Sequence, residues 1–124
     1  MAVQPAFYQL LRVEPRGDSY RAEARLDPRH AIYGGHFPGH PVTPGVGLLT
    51  ILREAIGLAL GHPVRFAAIR SCKFTAPAIP ADGETLTLDF TLSDTSDVRG
   101  TAAYRGETVL KLTATLAPIP DPEP

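Results

Sequence analysis

Apolar and polar residues alternate along much of this chain, and the alternation predicts β-strands. Successive side chains of a strand point to opposite faces, so a half-buried strand repeats every two residues. Residues 20–26 show this pattern, with three charged residues between four apolar ones. The same pattern recurs several times after residue 64. The predicted strands cover residues 7–13, 20–26, 66–74, 85–92, 98–104 and 110–116.

One segment departs from this alternation and predicts a helix. Nearly every position from Val46 to Leu60 is apolar, which is typical of a helix buried on most sides. Pro44 and Gly45 suit its first turn, and the run Gly61-His62-Pro63 is a typical end. The few polar or small residues fall at helical spacing and form one narrow stripe: Thr50, Arg53, Glu54, Gly57 and Gly61.

The order of elements predicts an α+β fold. The two strands before the helix and the four after it can form one antiparallel sheet. If the apolar face of this sheet wraps around the helix, the apolar residues of both the sheet and the helix are buried. The length of 124 residues suits a single domain. We expect that domain to span residues 1–117 and a proline-rich, frayed tail to span residues 118–124.

Composition excludes several classes of function. The net charge of −1 and a pI near 6.4 argue against nucleic-acid binding, which needs a basic surface. Cys72 is the sole cysteine, so no intrachain disulfide can form, and we expect it to be buried and inert. The N-terminus resembles no signal peptide, and the apolar helix is too short to span a bilayer. We therefore expect a cytoplasmic protein that does not bind membranes.

The segment from Gly35 to Val46 is the strongest candidate for a functional site. It contains three prolines and three glycines, and it carries His36, which can exchange a proton near neutral pH. Loops of this kind on a rigid scaffold often carry chemistry. His30, His36 and His40 match no standard zinc spacing, so we expect no metal. His40 is expected on the loop surface, where it would contribute to substrate selection.

The same segment resembles the signature of the β-hydroxyacyl-acyl-carrier-protein dehydratases. The similar residues are Gly35-His36-Phe37-Pro38-Gly39, Pro41-Val42 and Pro44-Gly45-Val46, followed after the helix by Phe66 to Ile69, Lys73-Phe74, Pro77, Pro80 and Asp82-Gly83-Glu84. The resemblance covers nearly the whole chain. It implies the hotdog fold, in which an antiparallel sheet wraps around one long helix.

The resemblance also implies an activity and a site. Members of this family reversibly remove water from a (3R)-hydroxyacyl thioester carried on acyl carrier protein, giving the trans-2-enoyl thioester, without metal or cofactor. Their active sites lie at a homodimer interface, where the loop histidine faces a carboxylate of the partner's helix. His36 is then the candidate base, and the Gly45 and Val46 N–H groups would hold the thioester oxygen. Substrate contacts are expected from Phe37, Pro38, Gly39, Pro44 and Thr50.

The chain departs from the family pattern at the catalytic carboxylate. That residue follows the Pro of the Pro-Gly-Val corner by six positions, and here the position is Thr50, which cannot act as an acid near neutral pH. Glu54 lies one turn further on the same face and is the candidate substitute acid. We expect an apolar helix to desolvate this carboxylate. The alternative is that Glu54 forms an interfacial ion pair with Arg53 of a second subunit or with another arginine.

Three functions remain open at this point. The first is a dehydratase of fatty-acid biosynthesis or of a specialised acyl or polyene pathway, and the loss of the usual carboxylate favours the specialised form. The second is a non-catalytic acyl-binding or partner subunit, which the threonine at position 50 supports. The third is a hotdog thioesterase using Glu54 to activate water, although thioesterases do not need the His-Phe-Pro-Gly string. A homodimer is expected, and a heterodimer or higher oligomer stays open.

Overall fold

The computed structural model of the protein describes residues 7–33, 42–94 and 96–119. Within these ranges the chain forms six strands, one short 3₁₀ helix and one long α-helix. In chain order they are β1 (Tyr8–Arg16), β2 (Ser19–Leu26), the 3₁₀ helix (Ala31–Tyr33), α1 (Gly45–Leu60), β3 (Val64–Lys73), β4 (Thr85–Leu92), β5 (Asp97–Tyr104) and β6 (Glu107–Pro118). The predicted order of elements is confirmed.

The six strands form one antiparallel sheet that curves around α1. Their order is β1-β2-β4-β5-β6-β3, so β1 and β3 are the edges. Five spacings of about 4.8 Å separate the two edges by about 24 Å, whereas a helix is about 10 Å across. Helix α1 nevertheless contacts both edge strands as well as β2 and β5. The sheet must therefore bend around the helix, and the expected α+β architecture is confirmed.

The core lies between the inner face of the sheet and one side of α1. On β4 the alternate residues Leu86, Leu88 and Phe90 are buried, as the period-two pattern predicts. The helix buries one side through Leu48, Ile51, Leu52, Ala55 and Ile56. Small strand residues let the helix approach closely. A Cβ on Gly100 would lie 3.1 Å from Leu52 Cδ2.

The opposite side of α1 is open in the single chain. Val46 is 73% exposed and Leu58 is 61% exposed. The expectation that the helix is buried on most sides is therefore wrong for one chain, because the sheet covers only one side of it. Arg53 and Glu54 share this outer side, as the predicted polar stripe requires. No helix within the described residues is long and apolar enough to cross a bilayer.

The ends of the strands differ from the sequence prediction at two points. The first hairpin turns on Gly17 and Asp18 alone, rather than on residues 14–18, because Arg16 still pairs with Ser19. Gly17 adopts a positive φ of 59° that suits so tight a turn. At the other end, β6 continues to Pro118, one residue beyond the predicted limit of the domain. Residues 120–124 of the predicted tail lie outside the described residues.

Truncation of a core leucine tests this packing. Leu52 of α1 is fully buried and packs close to Gly100 of β5. We expect Leu52→Ala to lower the free energy of unfolding by about 2–5 kcal/mol, because the truncated side chain leaves a cavity. The matched control is Leu11→Ala on β1, where the side chain is 37% exposed and the loss should be clearly smaller. Urea denaturation measures both. Equal losses in the two variants would contradict the packing described.

Candidate active site

The predicted site residues divide between described and undescribed parts of the chain. His36, Phe37, Pro38 and Gly39 lie outside the described residues, as does His40. Pro44, Gly45, Val46, Thr50 and Glu54 are described, and all lie on α1 or at its N-terminus. The site can therefore be built from the helix, and from Tyr33 and Val42 on either side of the undescribed segment.

A cavity of about 530 Å³ opens at the N-terminus of α1. Pro44 and Gly45 form part of its wall. Most of the remaining lining is apolar and comes from the 3₁₀ helix, the start of α1 and the loop after β3, including Ile32, Val42, Leu48, Phe74, Ala76 and Pro77. Such a space suits an apolar ligand with a polar group at the helix end.

The N–H groups of Gly45 and Val46 are the available backbone donors at this helix end. The N–H groups of Gly47 and Leu48 both donate to the Pro44 carbonyl, at 2.9 and 3.2 Å. Within the described ranges no oxygen accepts a hydrogen bond from the N–H of Gly45 or Val46. Unpaired N–H groups and the positive end of the helix dipole both favour an oxygen that carries negative charge. The arrangement can therefore stabilise an enolate-like oxygen.

Close packing with an aromatic ring explains the glycine at position 45. A Cβ placed there would lie 2.6 Å from Cζ of Phe74 and 2.8 Å from Cε2. Real Cβ atoms do not approach a ring so closely, so any larger residue would displace Phe74. Phe74 is 51% exposed and also lines the cavity. The glycine thus lets Phe74, which lines the cavity, pack closely against the first residue of α1.

The start of the helix is tied to the loop after β3. Both the N–H and the hydroxyl of Thr43 donate to the Ala78 carbonyl, at 2.9 and 2.8 Å. The Tyr33 hydroxyl lies 3.1 Å from Thr43 Oγ1. Burial raises the pKa of Tyr33. Sequence reasoning missed both residues, although a threonine within an apolar Pro-Val-Thr-Pro string was a usable signal.

Thr50 occupies the position at which the resemblance implies a carboxylate. Its hydroxyl donates to the Val46 carbonyl one turn earlier, at 2.7 Å. Threonine often makes this bond within a helix. The hydroxyl proton is thus bound to the helix itself, in keeping with the expectation that Thr50 is not the acid.

Glu54 is exposed in the single chain and not desolvated as expected, because the sheet does not cover its side of α1. Among the described residues, the Tyr8 hydroxyl on β1 donates a hydrogen bond to Glu54 Oε2 at 2.6 Å. Burial, together with this bond and the charge of Glu54, raises the pKa of Tyr8. Arg53 instead donates to the Val64 carbonyl, at 3.4 Å. The sequence held no signal for Tyr8, which lies 46 positions from Glu54.

The single chain does not bring Glu54 to the helix N-terminus. Glu54 follows Gly45 by nine positions, which places it about 13 Å further along the helix axis and half a turn around it. The two positions therefore lie on opposite sides of α1. Glu54 lines a different cavity, of about 420 Å³, with Gly57, His62 and other residues at the far end of the helix.

The remaining candidates from the sequence have ordinary structural surroundings. His30 Nδ1 accepts a hydrogen bond from the Ile32 N–H at 3.0 Å. Within the described residues no three His, Cys, Asp or Glu side chains are grouped to hold a metal ion. Cys72 is half-buried in β3, and burial raises the pKa of its thiol.

Comparison with known proteins defines the class. One chain of the dehydratase heterocomplex ApeI:P from Xenorhabdus doucetiae superimposes with a TM-score of 0.73 at 23% identity, covering 88% of this chain and 96% of that one. A hypothetical thioesterase with coenzyme A from Streptococcus pneumoniae gives a TM-score of 0.60 at 17% identity, covering 90% and 86%. The predicted hotdog fold is confirmed, and the fold alone does not separate dehydratases from thioesterases.

The family follows from the sequence comparison. The model of the ApeI-like family, described as ApeI dehydratase, matches residues 12–108, and the chain belongs to this dehydratase family. A curated relative, the 3-hydroxyacyl-acyl-carrier-protein dehydratase FabZ of Sodalis glossinidius (strain morsitans), is 32% identical over 100 residues. That match covers 73% of this chain, and the chain spans 64% of the relative, just under two thirds of its length. The predicted resemblance is confirmed.

A double-mutant cycle tests the contact between Gly45 and Phe74. We expect Gly45→Ala to destabilise the fold by about 1–3 kcal/mol, because the added methyl overpacks the ring. Phe74→Ala should remove most of that penalty, giving a coupling of about 1 kcal/mol or more in urea denaturation. Additive effects of the two substitutions would contradict the close approach of the ring to the helix.

Proposed function

We propose that this protein is a dehydratase that reversibly removes water from a (3R)-hydroxyacyl thioester to give the trans-2-enoyl thioester. The observation that carries the proposal is the helix N-terminus. It presents the Gly45 and Val46 N–H groups beside an apolar cavity, directly after the segment that contains His36. Membership of a dehydratase family supports the same reaction.

The reaction needs a base for the proton on the carbon next to the thioester carbonyl. We propose that His36 takes this proton. The electron pair of the broken C–H bond forms the new double bond, the bond from C3 to its hydroxyl oxygen breaks, and that oxygen leaves as water after gaining a proton. A positioned base typically contributes about 10²–10⁴-fold to the rate of such a step.

Negative charge develops on the thioester oxygen as the α-proton leaves. The two N–H groups at the helix N-terminus are fixed by the backbone, so they need no reorganisation to receive it. We propose that they bind this oxygen. Pro44 and Thr50 would contact the substrate near it, and Phe37, Pro38 and Gly39 are proposed to contact it from the loop.

The leaving hydroxyl needs a proton donor, and we propose Glu54 of a second subunit. Within one chain Gly45 and Glu54 lie about 13 Å apart along α1 and half a turn around it. A single chain therefore cannot bring both groups to one substrate, which supports a site shared between two subunits. The hydroxyl of Tyr8 would hold the Glu54 carboxyl group in place at the edge of such a site.

A dimer also accounts for the open side of α1. Val46 and Leu58 expose apolar surface there, and the edge strand β3 exposes Ile69 at 47%. Apolar surface of this kind beside an unpaired strand edge is typical of an interface. We propose a homodimer in which these surfaces of two copies meet.

The substrate carrier and the location are proposals of the same kind. The name of the Sodalis relative specifies a substrate on acyl carrier protein, and we propose the same carrier here. No cofactor is needed for the reaction as written. A cytoplasmic location fits the single, unpaired cysteine.

A second candidate function is a non-catalytic partner subunit. The observation in its favour is Thr50, whose hydroxyl is bound to the Val46 carbonyl at the position where the resemblance implies an acid. The similar fold within a dehydratase heterocomplex is compatible with assembly of this chain with a different partner chain. Such a subunit would keep the acyl cavity and require an active partner for turnover. Thioester hydrolysis by Glu54 is a weaker third candidate.

Hydration of a trans-2-enoyl thioester tests the proposal. The purified protein should consume the enoyl absorbance, and His36→Ala should lose at least about 100-fold of that rate because it lacks the base. Glu54→Gln should lose at least about tenfold because it lacks the acid. Glu107→Gln, at an exposed position away from both cavities, is the matched control for Glu54→Gln and should retain the wild-type rate.

Each candidate gives a different result in this assay. Full activity of His36→Ala would contradict the proposed mechanism, and an unchanged rate for Glu54→Gln would make Glu54 structural. No hydration at several chain lengths by the wild-type protein, with no thioester cleavage, would favour the partner subunit. Thioester cleavage without hydration would favour the thioesterase.

A further inference from the structure

Two buried hydroxyls join the ends of the segment that carries His36. Tyr33 precedes this segment and is 8% exposed, while Thr43 follows it and is 4% exposed. Within the described residues Thr43 is the one buried side chain of the polar or charged class. The two hydroxyl oxygens lie 3.1 Å apart across ten positions of sequence. Residues that are distant along the chain are thus held together beside the cavity.

The direction of each hydrogen bond follows from counting protons. A threonine hydroxyl has a single proton, and that of Thr43 is donated to the Ala78 carbonyl at 2.8 Å. The Tyr33 hydroxyl must then be the donor to Thr43 Oγ1. The hydrogen bonds therefore run from Tyr33 to Thr43 to Ala78, and the Thr43 N–H donates to the same carbonyl. We call these three residues the hydroxyl clamp.

The clamp ends on a loop that is itself fixed to the sheet. Thr75, at the start of this loop, bonds to the carbonyls of Val109 and Thr108 on β6. Further along, the Ala81 N–H donates to the Tyr104 hydroxyl on β5 at 2.9 Å. Ala78 lies between these two anchors and is 1% exposed. The clamp thus ties Tyr33 and Thr43 to the sheet through this loop.

We propose that Tyr33 and Thr43 are positioning residues for the reaction. The clamp restricts the two ends of the His36 segment and fixes the point at which α1 begins, so it sets the base against the N–H groups of Gly45 and Val46. The inference rests on the proposed role of His36. Small displacements of reacting groups cost large factors in rate, so the clamp should act on kcat more than on KM.

Removal of single hydroxyls tests this role. Tyr33→Phe and Thr43→Val should each lower kcat for enoyl-thioester hydration at least tenfold, with KM changed less than threefold, as a loss of orientation gives. Thr43→Ser keeps the hydroxyl and should retain kcat within about threefold. The matched control is Tyr104→Phe, which removes a hydroxyl that hydrogen-bonds with Ala81 in the same loop and with no member of the clamp. It should retain kcat within about threefold if the effect belongs to the clamp.

Amide hydrogen exchange separates the clamp from the proposed function, because it needs no activity. In Tyr33→Phe we expect exchange of residues 34–46 to be at least tenfold faster than in Tyr104→Phe, since the ends of the segment are released. Faster exchange in a wild-type-like fold without any hydration activity would support the clamp and contradict the proposed function. Unchanged exchange, or wild-type kcat in both Tyr33→Phe and Thr43→Val, would overturn the clamp.

Discussion

Burial of one helix against one curved sheet is the constraint on which this structure depends. Helix α1 is the only long helix among the described residues, and it supplies one half of the core through a single side. Because the sheet curves around the buried side of this helix, its two edge strands both contact α1. The same packing fixes where the helix begins, and with it the N–H groups of Gly45 and Val46, of which Gly45 lines the cavity. It also leaves the other side of the helix, with Glu54, open to a second protein surface.

This geometry divides the proposed chemistry between two surfaces. The donors for the thioester oxygen are at the helix N-terminus, whereas the proposed acid lies half a turn and about 13 Å away on the same helix. Two-fold symmetry can bring the helix N-terminus of one copy to Glu54 of the other copy, so that each dimer holds two such sites. Thr50 shows why this matters here. Its hydroxyl donates to the Val46 carbonyl, so the position at which the resemblance implies an acid offers none, and the proposed reaction depends on Glu54 and on its contact with Tyr8.

The elements of the fold could be predicted from the sequence because each follows from local periodicity. Residues 85–92 alternate strictly between apolar and polar side chains. The apolar run ends at Gly61, which is typical of a helix C-terminus, and the Gly61 N–H donates to the Gly57 carbonyl at 2.8 Å. The contacts that define the site could not be predicted in this way. Tyr8 with Glu54, Thr43 with Ala78, and Phe74 with Gly45 join residues that are 29 to 46 positions apart, and only packing of the sheet around the helix brings them together. The open side of the helix was missed for the same reason, since an apolar residue looks alike in a core and in an interface.

The central claim is that His36 of one subunit and Glu54 of another form one active site. The most direct measurement mixes two inactive variants, His36→Ala and Glu54→Gln, under conditions in which dimers exchange subunits, and follows enoyl-thioester hydration. Random exchange makes half of the dimers mixed, and each mixed dimer holds one intact site of two, so about a quarter of the wild-type activity should return. If both residues acted within one chain, no mixed dimer would hold an intact site. No recovery of activity after verified subunit exchange would contradict the shared site.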